Sequence, residues 1–233
     1  MSSLIAITDR RLAPGEHEAG RLCPQEQAWL VARAHAWAAG GVEFVQLREK
    51  DLSSADLLAL TRVLRDTLAD TKTRLLLNGV PELALAANAD GVHLPGGWTA
   101  VSIAHARQLL GADAVISVAC HAWRTPCEAR EAGADLALFS PIFSNHKCTP
   151  GSAEAPSPGL GVEALRRACA DAAPLPVYAL GGVTAANAAL CSNAGAAGVA
   201  AIRLFAGDDW SAPDRSSSGG GSVSGLPVTR VQP

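Results

Sequence analysis

The chain has 233 residues, 48% of them hydrophobic and 18% charged, with a formal net charge of −3. That balance supports a sizeable core and excludes a chain disordered throughout. No basic stripe occurs and aromatics are 4%, so nucleic acid is not an expected partner, and no apolar run reaches the ~18 residues of a membrane span.

Short β-rich runs alternate with alanine-rich helical runs. The first strand is predicted at Leu4–Thr8; no charged region precedes it and no small-residue cleavage site follows, so no signal peptide is read and a cytoplasmic location is expected. A helix follows at Gln25–Ala39 and a strand at Glu43–Leu47. Leu57, Leu58, Val63, Leu64 and Leu68 form one stripe of a helix over Ser54–Leu68. Strands at Arg74–Leu77, Gly91–Leu94, Ala114–Val118, Leu136–Ser140, Val177–Leu180 and Gly198–Ile202 complete a set of eight. Helices at Val101–Leu110, Pro126–Ala132, Val162–Ala172 and Thr184–Asn193 lie between them. Strand-then-helix alternation implies parallel strands with right-handed crossovers. Eight such units and this length predict a (β/α)₈ barrel. The rival doubly wound sheet carries a glycine-rich turn after its first strand, where this chain has Asp9-Arg10-Arg11.

Residues 1–211 are read as the barrel domain and 212–233, with Ser216–Ser222 rich in serine and glycine, as a disordered tail. The eighth helix is then very short or missing. That leaves an apolar groove between the first and seventh helices, to be filled by a second subunit in a homodimer or by the Leu226–Val231 tail. The six cysteines form no CxxC pair, so no structural zinc site is expected and they read as reduced, buried residues.

In this fold the active site lies at the carboxyl ends of the strands. Arg48 and Lys50, two apart, share one face of an extended segment. They are able to hold an anion; the competing reading is a solvated strand end neutralised by Glu49. Gly181-Gly182 lets backbone N–H groups approach a phosphate ahead of a helix near Thr184. The loops after strands seven and eight, here with Ala201 and Ile202, are the usual phosphate site. His93 falls inside a strand and reads as barrel filling, whereas His121 stands just past the fifth strand. There an imidazole is placed to move a proton.

Several stretches together resemble the thiamine phosphate synthase and thiazole tautomerase superfamily. They are Gly40–Asp51, Leu77-Asn78, Ala89–Leu94, Ala132–Asp135, Pro141–Phe143, Pro176–Val183 and Ala194–Val199. The resemblance covers roughly Leu4 to Phe205. It implies that Gln46, Arg48, Lys50 and Asn78 hold a pyrimidine diphosphate, and that Lys147 belongs to the substrate loop after strand six. The synthase joins that diphosphate to a thiazole phosphate and expels pyrophosphate with magnesium's help. Of the two aspartates that usually carry the magnesium, one position is Gly79 and the other falls in Pro95-Gly96-Gly97-Trp98; the Ser before the strand-five His is Ala119. The tautomerase branch, a proton-transfer isomerase acting on a thiazole phosphate, is similar to this chain in Asn78-Gly79 and Leu94-Pro95-Gly96 and would use His121 as its base. Tautomerase is therefore the leading expectation, with no metal and no cofactor. A divergent synthase transferase, for which alone Mg²⁺ is expected, and a non-catalytic binder of phosphorylated thiamine precursors follow.

Overall fold

The structure, a computed structural model, describes residues 3–144 and 158–207. Lys147 and the expected tail over residues 212–233 lie outside the described residues.

Eight strands close into one all-parallel barrel in sequence order: β1 Ser3–Ile7, β2 Phe44–Leu47, β3 Arg74–Asn78, β4 Gly91–Leu94, β5 Val115–Cys120, β6 Leu136–Phe139, β7 Val177–Leu180 and β8 Gly198–Ala201. Closure is the pairing of β1 with β8, Leu4 opposite Val199. Helices α1 Pro24–Ala39, α2 Ser54–Leu68, α3 Pro81–Ala86, α4 Ala100–Leu110, α5 Thr125–Glu131, α6 Val162–Ala172 and α7 Ala188–Asn193 supply the crossovers. The fold is a (β/α)₈ barrel, as expected.

Local chemistry explains most boundaries. Pro24 opens α1 behind a cap in which Cys23 and Glu26 each bond the other's backbone N–H. Ser53 caps α2 through the Asp56 N–H. The helix-to-strand junctions use left-handed residues at Gly41, Asn88, Gly133 and Gly195. Gly198 is required for another reason: a Cβ there would stand 1.9 Å from the Ser3 carbonyl oxygen of the neighbouring strand.

Two corrections follow. The segment between Gly79 and Ala87, unread in the sequence, is α3, started by Pro81 with Glu82 in its first turn. The helix expected from Thr184 begins at Ala188 instead. Asn187 holds the preceding turn open, accepting from the Thr184 N–H at 2.8 Å and donating to the Gly182 carbonyl at 2.9 Å. Such side-chain bonds compete with the helix ladder.

Alternation along the strands splits the core. Ile5, Ile7, Phe44, Leu76, Val115, Leu136, Leu138, Tyr178 and Ala200 fill the barrel, while their neighbours pack outward beneath the helices. A 3₁₀ turn at Arg203–Phe205 stands where an eighth helix would begin. Phe205 is fully buried and meets Trp37 edge-on at 6.4 Å, and the Trp37 indole donates to the Phe205 carbonyl at 2.9 Å. On α7, Leu190 is exposed. Among the described residues no helix is long and apolar enough to cross a membrane.

Candidate active site at the strand ends

The residues two positions beyond the interior side chains Phe44, Leu76 and Val115 are Gln46, Asn78 and Ser117. They therefore face the same way, into the barrel, one layer nearer its carboxyl end. Register places Asn78 opposite His93 and His93 opposite Ser117. Gln46 donates to Asn78 Oδ1 at 3.3 Å, and His93 Nδ1 lies 2.7 Å from the Ser117 hydroxyl. This gives a polar layer across β2, β3, β4 and β5. The opposite wall, two residues on from Tyr178, Ala200 and Ile5, is Leu180, Ile202 and Ile7. The mouth is thus polar on one side and apolar on the other.

Within the polar layer the Gln46 side chain is buried and its Oε1 has no hydrogen-bond partner. A buried acceptor without a donor costs roughly 1–3 kcal/mol, so a ligand donor is the simplest complement. His93 is buried, and burial, with repulsion from Arg48, His121 and Lys50, pushes its pKa down to about 3. The imidazole is neutral, and three basic side chains stand near it.

The 48–50 segment is fastened from behind. The Arg48 N–H donates to the Thr8 hydroxyl at 2.9 Å. Glu49 does not neutralise Arg48 or Lys50: it is buried, and both its oxygens accept from the Arg10 backbone N–H at 3.1 Å. Burial raises its pKa, against the bonds from Thr8 and Arg10. The fully buried Arg10 guanidinium in turn meets Glu26 at 3.4 Å and Asp51 at 3.0 Å. Glu49 is turned inward, while Arg48 is half-buried and Lys50 exposed just past the end of β2. Thr8, Arg10 and Ser117 are the residues that sequence reasoning missed; only the period-two alternation of β5 gave a signal, for Ser117.

His121 directly follows β5 and is exposed. Its Nδ1 lies 2.9 Å from the Ser140 carbonyl oxygen, so Nδ1 carries the hydrogen and Nε2 is directed at the β4 loop. A Cβ on Gly96 would come within 3.3 Å of that Nε2. Trp123 is turned away from the mouth, held between Arg124 at 4.7 Å and Arg167 of α6 at 4.2 Å.

The glycine pair ends β7 with both residues at positive φ, 94° for Gly181 and 66° for Gly182. Ile142 donates to the Leu180 carbonyl at 2.9 Å and Phe143 to the Gly181 carbonyl at 3.0 Å, so the β6 loop runs alongside. A Cβ on Gly182 would lie 2.7 Å from the Phe143 Cβ. Gly182 is thus needed for packing against Phe143, and the short α7 starts six residues after it. Ala201 packs in the outer core and Ile202 faces the mouth.

A hard divalent cation needs oxygen ligands. Within three positions of the strand ends, the described carboxylates are Asp9 and Glu49. Asp9 is bound by Arg11 at 2.8 and 3.0 Å, Glu49 faces Arg10, and Asp51 accepts from Arg10 and from the Gly20 N–H at 3.2 Å. Trp98, where a carboxylate is expected, donates to the Ala119 carbonyl at 2.7 Å. Among the described residues no group of three or more His, Cys, Asp or Glu is arranged to hold a metal. This donor set does not fit magnesium.

The chain matches the family described as thiamine monophosphate synthase over residues 21–205. It belongs to that family. A provisionally named thiamine-phosphate synthase of Geobacter sulfurreducens is 40% identical over 206 residues, 88% of this chain and 87% of that protein. Thiamine-phosphate synthases of Methanoculleus marisnigri, 37% identical over 77% of this chain and 82% of that one, and of Syntrophomonas wolfei, 33% identical over 88% of each, are similar. Thiamine phosphate pyrophosphorylase from Pyrococcus furiosus superposes with a TM-score of 0.70 at 24% identity, covering 89% of both chains; this shows the shared fold. These likenesses overturn the expectation of a thiazole tautomerase isomerase, because the relatives matched along most of the chain are named synthases. That expectation rested on Asn78-Gly79 and Leu94-Pro95-Gly96, where two carboxylates are lost, with His121 as a match that is not exclusive to the tautomerase branch.

Proposed function

We propose that this thiamine monophosphate synthase family member binds a phosphorylated pyrimidine and a thiazole phosphate at the strand ends and joins them, with pyrophosphate as leaving group. The observation that carries the reading is the Gln46–Asn78 pair, with a buried acceptor to spare, on the strand that leads into Arg48 and Lys50. A heteroaromatic ring bearing an amine satisfies Gln46 Oε1, while its diphosphate reaches the two cations. Arg binds such an anion bidentately and Lys as a point charge. When the bond from the pyrimidine side to the diphosphate oxygen breaks, its electron pair leaves with pyrophosphate. Fixed positive charge at that place stabilises the departing anion. The apolar wall of Leu180 and Ile202 suits the second ring, and the turn at Gly181-Gly182, with backbone near Ala201 and Ile202, is the proposed seat of the thiazole phosphate. Lys147, outside the described residues, remains a proposed substrate contact.

Purified protein mixed with both precursors, with thiamine phosphate followed by fluorescence after oxidation, tests this. Turnover at about 1 s⁻¹ or more, reduced at least tenfold in Arg48→Met, is expected. Binding of both precursors with no product above the uncatalysed rate overturns the synthase reading. It would favour a non-catalytic binder of phosphorylated thiamine precursors, the reading to which Gly79 and Trp98 in place of carboxylates lend support.

A further inference from the structure

We infer that the diphosphate site of this chain works without a divalent cation, its anion being met by Arg48 and Lys50 themselves. The inference rests on the proposed placement of a diphosphate at the strand ends. It stands on how each described carboxylate near the mouth is engaged. A Mg²⁺ ion that bridges protein and substrate phosphates is usually held by one or two carboxylates. Both oxygens of Asp9 accept from the Arg11 guanidinium, at 2.8 and 3.0 Å. Both oxygens of Glu49 accept from the Arg10 N–H, and the side chain is buried. Both oxygens of Asp51 accept from the Arg10 guanidinium, at 3.3 and 3.0 Å. Freeing any one would break a charge-assisted bond, and for Glu49 and Asp51 would leave Arg10, fully buried, short of an acceptor.

The two strand ends beside the polar layer carry nothing that replaces them. After β3 the chain runs Asn78-Gly79-Val80, and after β4 Pro95-Gly96-Gly97-Trp98, with the Trp98 indole tied to the Ala119 carbonyl at 2.7 Å. Those groups present no anionic oxygen. Among the described residues, Arg48, His121 and Lys50 lie near enough to the neutral His93 to lower its pKa, and the Asp9 carboxylate near Arg48 is held by Arg11. A metal ion brought there would be repelled, while a diphosphate carrying several negative charges would be attracted.

The test is calorimetric titration of the full chain with inorganic pyrophosphate, once with EDTA and once with millimolar Mg²⁺. The dissociation constant in EDTA should be equal to or lower than that in Mg²⁺, because magnesium competes for the anion. Arg48→Met should raise it about tenfold or more, with circular dichroism unchanged. Asp9→Asn should not weaken binding in either buffer. Manganese titrated into the protein alone, followed by its electron paramagnetic resonance signal, should show no site tighter than millimolar. Binding that occurs only with Mg²⁺ or is at least tenfold tighter with it, a tight manganese site, or no pyrophosphate binding in either buffer would each overturn the inference. Pyrophosphate binding in EDTA without thiamine phosphate formation keeps this inference and removes the synthase reading; turnover together with strictly Mg²⁺-dependent pyrophosphate binding does the reverse.

Discussion

His93 should make the barrel acid-sensitive, and the size of the effect follows from its surroundings. The imidazole is buried between Asn78 and Ser117 on the neighbouring strands, and its pKa falls from 6.5 to about 3 through burial and the charges of Arg48, His121 and Lys50. In the unfolded chain it titrates near 6.5. Its folded pKa is depressed, so its contribution to stability is fully present above pH 6.5. The unfolded state binds the extra proton as pH falls from there toward 3, and stability is lost over that window. Each pH unit inside the window costs about 1.4 kcal/mol, so acidification from pH 7.5 to 4.5 should remove about 2.5 kcal/mol through this residue alone. That is a large share of the roughly 5–15 kcal/mol that stabilises a typical domain. His93→Gln keeps a group able to bond the Ser117 hydroxyl but cannot take the proton. Urea denaturation of both proteins at pH 7.5 and 4.5, read by tryptophan fluorescence, measures the difference. Carboxylates such as Glu26 titrate in both proteins and cancel. If wild type and variant lose the same stability between the two pH values, or if the His93 ring titrates near 6.5 by NMR, the account of a buried neutral histidine under a basic mouth is wrong.

Two further predictions come from the same geometry. Gly182→Ala places a Cβ 2.7 Å from the Phe143 Cβ at a φ of 66° and should cost about 1–3 kcal/mol, lowering the melting temperature by several degrees. Gly79→Ala, with φ of 146° but nothing within 4 Å of its Cβ, should cost less, and an equal loss would show that strain rather than the Phe143 contact decides. Arg10→Met removes the partner of Glu26 and Asp51 and should destabilise by about 3–5 kcal/mol; a loss under 1 kcal/mol in chemical denaturation would mean that the network is replaced by water.

The barrel was legible because its strands are short apolar runs bounded by glycine-bearing junctions. Gly91–Leu94 and Val177–Leu180 coincide with the predicted bounds. The helices over Ser54–Leu68 and Val162–Ala172 do so too, since a cap or a clear apolar stripe marks their ends. What failed was short or local. The α3 segment has only six residues, too few for a 3.6-residue period to show. The start of α7 was displaced by one side chain, Asn187, whose bonds to Thr184 and Gly182 no periodicity records.

The site was legible in its residue types and not in their partners. Gln46 and Asn78 are hydrogen-bonded to each other, and Arg48 lies near enough to act on the charge of the adjacent His93. The direction in which Glu49 points was not readable, because it depends on the Arg10 N–H thirty-nine residues away. That one orientation bears on the charge of the mouth: facing outward, Glu49 would stand beside Arg48 and Lys50, whereas here both its oxygens are taken up by the Arg10 N–H. The reading of function failed by a related route. Losing two expected carboxylates bears on how an anion is neutralised, and says nothing by itself about which bond is made or broken. Taking that loss as support for proton transfer confused the electrostatics of binding with the identity of the reaction. The structure separates the two. The charge of the described strand-end residues bears on how an anion would be held, which is testable with pyrophosphate alone; the proposed joining of two rings against the apolar wall of Leu180 and Ile202 is reported only by turnover.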